Sequence, residues 1–426
     1  MVSRKQNIIR LLSKAVINCS LCCLVVASGL LLARVLSIRP VPITGRTAAI
    51  RGFGGPHVIS PALPRIPNDS HQQVDDRHEL ERLRAVEHAL APRVSDRNQS
   101  SRLLHALLTW GPQARFIDGS DHPLVIDALL DNQKPAGECL FYLAPDGLIR
   151  VNVRQRASER VGEAHHDQAL AILAVIGISL DRRIAVEGGV DGTTLRDAFN
   201  SMLSRFSPGM YEAEWSAISI ATYLPPLTSW KTRWNEEFTI SDLARSLLKA
   251  DISEGSCGGS HKLQSLCVLL RVNERFPILD ASTAAAIDER LQTARSLLIK
   301  NQLESGAWTT SWAHPEFDPS LDLASSSKEY AKGDAAAISS DRLLATGHHL
   351  DWLSIAPAKY HPPEDVIIKA VNYCREELLR EHSAEEFGKI ICPVTHALMA
   401  VYRCVYSNQL DGRWLSSERV KSFATQ

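Results

Sequence analysis

The chain has 426 residues, 45% of them hydrophobic and 22% charged, enough apolar material for one large core or two smaller ones. The formal net charge is −1 and no long basic run follows the N-terminus, so the electrostatic footprint of a nucleic-acid binder is missing and no such partner is expected. Of nine cysteines, Cys19, Cys22 and Cys23 lie in an apolar N-terminal segment; Cys139, Cys257, Cys267, Cys374, Cys392 and Cys404 lie in the body, where no close C-x-x-C pair occurs.

Residues 1–14 form a basic N-terminus carrying Arg4, Lys5, Arg10 and Lys14, followed by an uncharged run from Ala15 to Ala33 and then Arg34. At about 1.5 Å of helix per residue that run spans a bilayer, so residues 15–36 are expected to be a single-pass transmembrane anchor. The basic flank keeps the N-terminus in the cytoplasm and puts the body on the other side, periplasmic or extracellular. Cleavage as a signal peptide is the rival reading, but the run is long for one and no A-x-A site ends it. Residues 37–76 carry six prolines between Pro40 and Pro67 together with Gly52, Gly54 and Gly55, a composition that resists helix and suits an extended tether.

From residue 77 onward two kinds of helical pattern alternate. Segments 78–90, 122–131, 193–206, 239–250, 284–301 and 364–381 show one apolar stripe; Ile287, Leu291, Ala294 and Leu298 are an example, with Asp288, Glu289 and Arg295 free to face water. Segments 101–110, 166–178, 212–223, 261–272, 341–355 and 393–406 are apolar on most sides, as buried helices are. Six outer and six inner helices in alternation predict an all-α domain over 77–426, closed most naturally as an (α/α)6 toroid, although an open helical solenoid satisfies the same pattern. Residues 413–423 would add a cap. Two interruptions are expected: a β-hairpin insertion at 138–154, with β-rich 139–143 and 148–153 around Ala-Pro-Asp-Gly, and a long polar loop at 309–333 that would act as a lid or remain disordered.

At 296–308 the chain reads Ser-Leu-Leu-Ile-Lys-Asn-Gln-Leu-Glu-Ser-Gly-Ala-Trp, in which Gln302, Gly306 and Trp308 have Q-x3-G-x-W spacing at the end of a striped helix. This resembles the QW repeat of the α/α-toroids of squalene-hopene cyclases and protein prenyltransferases. The resemblance covers thirteen residues and one copy of the repeat. It implies a structural role, in which Gln302 bonds to the end of a neighbouring helix and Trp308 packs over the turn. The D-x-D-D acid motif of the cyclases is absent, Val74-Asp75-Asp76 lacking its first Asp. Fold can be shared without activity.

In such a ring the starts of the inner helices collect at one mouth, where helix dipoles and free N–H groups favour anions and thiolates. The polar residues at these starts are His165/His166, Glu212 and Glu214, Cys257/His261, His348/His349 and Cys392/His396; of them His166, Glu212, His261, His349 and His396 are the candidate catalytic residues, with Asp351 as a further carboxylate and Trp215 and Trp352 as stacking surfaces. Cys257-x3-His261 and Cys392-x3-His396 repeat one spacing across two helix starts, a Cys2His2 set suited to zinc, which is the one cofactor the sequence points to. A Cys257–Cys392 disulfide and unpaired thiols are the competing readings, and first-turn acids commonly serve helix stability alone. The ligand motifs of the zinc sites on prenyltransferase and lanthionine cyclase toroids are not matched. The leading functional expectation is a membrane-anchored toroid enzyme acting on an envelope glycan or lipid-linked substrate in a His-lined cavity. A non-catalytic binding or structural module and a zinc-dependent enzyme are the alternatives.

Overall fold

Both kinds of helical segment find partners in the computed structural model, which describes residues 73–118, 123–130, 139–153, 165–189, 191–319, 335–380 and 390–405. The basic N-terminus, the anchor at 15–36, nearly all of the tether, the cap at 413–423 and the second half of the 309–333 loop lie outside these residues. Among the described residues no helix is long and apolar enough to cross a membrane. They are mostly helical and carry two small sheets.

The helices are α1 (Gln73–Leu90), α2 (Ser100–Trp110), α3 (Val125–Leu130), α4 (Gln168–Val175), α5 (Leu195–Arg205), α6 (Ala213–Tyr223), α7 (Ile240–Lys249), α8 (Ser260–Asn273), α9 (Ala281–Lys300), α10 (Ala335–Ile355), α11 (Glu364–Leu378) and α12 (Ile391–Val405). Helix α1 begins at Gln73, inside the stretch expected to be tether, because no proline or glycine follows Pro67 to prevent it. The odd-numbered helices correspond to the striped segments of the sequence, although the short α3 has five of its six residues buried. In α7, Thr239 Oγ1 accepts from the Asp242 N–H at 3.0 Å while Asp242 accepts from the Thr239 N–H at 2.8 Å, a reciprocal cap that starts the helix and leaves Ile240, Leu243, Ala244 and Leu247 to be buried. In α9 the buried residues after the cap at Asp280 include Ile287, Leu291, Ala294 and Leu298, a single face. By contrast every residue of α6 is buried, as is every residue of α4 up to Ala174.

Those differences in burial follow from packing. Helix α4 packs on α6, α6 on α8, α8 on α10, α10 on α12, α12 on α2, and α2 on α4. Each of these six packs on two others of the set, and the striped helices pack against them: α3 on α2, α5 and α7 on α6, α9 on α8, α11 on α10 and α12, and α1 on α12.

The expected hairpin is present as β1 (Phe141–Leu143) and β2 (Ile149–Val151), antiparallel with Phe141 opposite Val151. Two strand features were not anticipated: β3 (Val186–Glu187), parallel to β1, and a second hairpin of β4 (Ser229–Lys231) and β5 (Glu237–Thr239). Strands of two or three residues are too short to show an alternation. At the end of α9, Gln302 Nε2 donates to the carbonyls of Gly306 (2.9 Å) and Val366 (2.8 Å), the latter in the first turn of α11, and the buried Trp308 donates its Nε1–H to Leu298 O at 2.9 Å.

Candidate metal centre

Cys257, Gly258 and Gly259 take three successive left-handed conformations, with φ of 51°, 64° and 79°. A Cβ on Gly259 would stand 2.0 Å from the Ile252 carbonyl oxygen, so both conformation and space demand glycine there. The turn is fastened by Trp312, whose Nε1–H donates to Gly258 O at 2.9 Å, and by Ser260 Oγ, which donates to Cys257 O at 2.8 Å. It delivers the Cys257 thiol to the N-terminal end of α8, whose second residue is His261.

Left-handed residues also open α4 (Asp167, φ 60°) and α6 (Glu212, φ 55°). Both are buried acids that fasten neighbouring segments. Asp167 accepts from Ser216 Oγ at 2.6 Å and pairs with Arg205. Glu212 Oε1 accepts from His165 Nδ1 at 2.6 Å and from Ser256 Oγ at 2.9 Å, and its Oε2 accepts from the His166 N–H at 3.0 Å. One carboxylate thus joins the segments leading into α4, α6 and α8.

Four further imidazoles converge on the two thiols, each with Nδ1 already engaged. His105 Nδ1 lies 2.7 Å from Ser101 O and His348 Nδ1 2.7 Å from Leu344 O. A carbonyl only accepts, so Nδ1 carries the proton in both rings and Nε2 is left as the lone-pair nitrogen of the neutral form. His261 Nδ1 is 3.0 Å from Gln264 Oε1, and His396 Nδ1 bonds to the Asp351 carboxylate, which also accepts from Arg403 Nη1 at 2.7 Å. Engagement of the second ring nitrogen by a carbonyl or carboxylate is the arrangement that orients metal-ligating histidines.

The donors fall into two sets: Cys257 with His261 and His348, and Cys392 with His105 and His396. Within each set the ligand atoms lie within 4.8 Å of one another. The sets abut. Cys392 Sγ is 3.8 Å from His348 Nε2, the His348 and His396 rings are 3.8 Å apart centre to centre, and the Cys257 sulfur neighbours the Cys392 thiol and the His348 and His165 imidazoles.

The hydrogen bond from the Cys392 thiol outweighs burial and, with His348, His261 and His165 beside it, holds Cys257 as a thiolate. The start of α8 adds to the same preference. Cys392, donating that bond and buried, stays a thiol. Burial lowers His105 to about 4; burial and the neighbouring His348 lower His396 to about 3, so both rings are neutral. Burial disfavours the charge on His165, but Cys257 and Glu212 lift it to about 9. Asp351, despite its burial, is kept below the ordinary carboxylate value by His396 and Arg403.

Beside the two sets lies a cavity of about 20 Å³, room for a water-sized group, lined by His105, His261 and His396 and by apolar side chains of α2, α4 and α6. Two of its lining residues, Gln168 and Trp215, keep buried polar atoms, Oε1 and Nε1, without a hydrogen-bond partner.

Of the residues singled out from sequence, Cys257, His261, Cys392 and His396 come together, with Glu212 one step away through His165. His166 is exposed, its ring edge-on to the exposed Tyr211, and only its backbone N–H reaches Glu212. His349 sits apart from the donor sets among Trp308, Trp312 and Trp352, and its Nδ1 accepts from Trp352 Nε1 at 3.0 Å. Cys257 and Cys392 are free cysteines rather than a disulfide. His105, His165 and His348 complete the site. Reading cysteine–histidine spacing along the chain missed His105, whose one signal was a histidine in the middle of an otherwise apolar helix. Comparison of the chain with family models, with curated proteins and with solved structures gives no match.

Proposed function

We propose that the protein is a zinc-class metalloenzyme built on an (α/α)6 toroid, with its metal centre at the mouth of the ring. Contact of α12 with α2 supports the closed ring over an open solenoid, in which the last inner helix would not touch the first. The Gln302 and Trp308 bonds fit the part such residues play in cyclase and prenyltransferase toroids. The observation that carries the functional reading is the convergence of two cysteines with four histidines whose Nδ1 atoms are all tied elsewhere.

Three protein ligands per ion leave a coordination position open, the pattern of catalytic rather than structural zinc, and such an ion polarises a carbonyl or acidifies a bound water. The chain supplies the rest. Three of the donor histidines line the cavity, Gln168 Oε1 and Trp215 Nε1 offer an acceptor and a donor to a ligand, and apart from Gln264 the other walls are apolar. The cavity has room for a reacting group alone, so this supports a substrate that presents a slender hydroxyl- or amide-like tip through apolar surroundings, closer to a lipid-linked molecule than to a glycan chain. On a chain anchored through residues 15–36, that substrate would be met at the outer face of the membrane.

Elemental analysis of the purified full chain, with and without His261→Ala, tests the reading: bound zinc is expected, reduced in the variant. A chain that neither carries metal nor takes it up on titration sinks it. A second reading rests on the Cys257–His165–Glu212 connection, which resembles an activated thiol nucleophile. Fast alkylation of Cys257 at a rate indifferent to added zinc would favour it.

A further inference from the structure

We propose that the centre holds two metal ions rather than one, the first on Cys257, His261 and His348 and the second on His105, Cys392 and His396, with the two cysteine sulfurs bridging them. The inference rests on the metal reading above and adds to it the number of ions and the role of the thiols.

Donor count and donor orientation both point to two ions. A tetrahedral ion takes four ligands. Six cysteine and histidine side chains converge here, and no four of them form a natural single set. Any one ion served by both thiols and two imidazoles would leave two buried rings, already turned toward ligation by their Nδ1 partners, with nothing to bind. Those partners come from different places: the Ser101 and Leu344 carbonyls within α2 and α10, the Gln264 amide on α8 and the Asp351 carboxylate on α10. Four independent devices setting four rings in the same tautomer are hard to explain by core packing, since a buried neutral histidine needs only to satisfy itself. His349 shows that alternative in the same helix: its Nδ1 is spent as an acceptor from Trp352, so it is in the opposite tautomer and turned among tryptophans.

Division into two sets of three, each within 4.8 Å, suits two ions sharing ligands. Two-metal sites hold their ions about 3.5–4 Å apart, where repulsion between the cations must be offset. The thiols are where that offset is needed. Cys392 Sγ reaches across to His348 Nε2 of the other set at 3.8 Å, and the Cys257 sulfur is its neighbour. Each sulfur, by sharing, would raise its ions from three protein ligands to four, so that a substrate group would enter as a fifth ligand, an expansion open to catalytic zinc. Asp351 behind His396 and Glu212 behind His165 add two carboxylates close to the cations.

The test is titration of the chelator-treated full chain with cobalt(II), followed by absorption and electron paramagnetic resonance, and with zinc followed by elemental analysis after gel filtration. Two equivalents per chain, thiolate-to-cobalt absorption from the first addition, and loss of the paramagnetic signal as the second ion couples to the first are expected. His105→Ala should lower the stoichiometry to one while keeping the absorption carried by Cys257; circular dichroism checks that this variant folds, and the wild-type stoichiometry decides the question without it. One equivalent in the wild type, whatever its spectrum, overturns the two-ion inference and leaves the metal reading standing. Two equivalents with uncoupled spins overturn the bridge. No uptake overturns both proposals.

Discussion

Replacing Asp351 by asparagine separates metal positioning from ordinary core stability. The carboxylate holds the Nδ1 proton of His396 with one oxygen and Arg403 Nη1, at 2.7 Å, with the other. Asparagine has one acceptor and one donor in the same shape. If its oxygen faces His396, its NH2 faces the guanidinium, donor against donor. If it is flipped, the NH2 faces Nδ1 and drives the proton to Nε2, removing the ligand. Either way a buried group loses its partner, at about 1–3 kcal/mol. Loss of an orienting carboxylate behind a ligating histidine costs about 10–100-fold in metal affinity, or about 1.4–2.8 kcal/mol at about 1.4 kcal/mol per factor of ten. Competition against a calibrated zinc chelator measures the affinity, and urea melts of metal-free and metal-loaded protein measure the stability. The loaded protein should lose more stability than the metal-free protein, by the amount the affinity falls. Equal losses in the two forms, with affinity unchanged, would refute a positioning role and leave Asp351 as a buried partner of Arg403.

Three other outcomes follow from the packing. Gly306→Ala would place a Cβ 2.3 Å from Lys369 O at a φ of 89°, so the left-handed penalty of about 1–2 kcal/mol is joined by displacement of α11 and loss of the Gln302 bond to Val366; a drop of more than about 3 kcal/mol in urea melts is expected. Trp312→Phe removes the donor to Gly258 O and should cost about 1–3 kcal/mol while raising the alkylation rate of Cys257, because the turn presenting the thiol loses its fastening. Burial lifts Glu87 above the ordinary carboxylate value although Trp110, Tyr402 and Arg84 oppose the shift, so its contribution to stability is full at low pH and lost as pH rises through its folded-state pKa. Glu87→Gln keeps the acceptor for Trp110 Nε1, and its stability relative to wild type should increase from pH 4 to pH 7 in thermal melts; a constant difference would count against the assignment.

Helix order was readable because two burial regimes leave different marks on a sequence. A helix covered on one side keeps a stripe, as in α9, whereas one enclosed by others loses its polar face, as in α6. The donor set was only half readable. Cys257 with His261 and Cys392 with His396 share a spacing and invite the eye to join them as a Cys2His2 group. His105 and His348 enter from the middles of other helices, and their place depends on how α2 and α10 rotate against their neighbours, a matter of packing that no local spacing records. The choice between His165 and His166, and between His348 and His349, was open for the same reason: adjacent residues on a helix differ by about 100° in direction, and only the surrounding contacts select one. The short strands and the Trp308–Trp312–Trp352 surround of His349 leave no periodic trace at all.

The contact between α2 and α12 also says something about assembly on the ribosome. His105 is made early and Cys392 and His396 among the last described residues, yet they stand in one donor set. Bringing them together closes nearly the whole folded chain into a loop, an entropic cost that grows only as the logarithm of loop length and that a bound ion would help to offset. The nascent protein therefore cannot complete this set until α12 has emerged, and a chain truncated before α12 would lack the contact between α2 and α12 and leave His105 without Cys392 and His396.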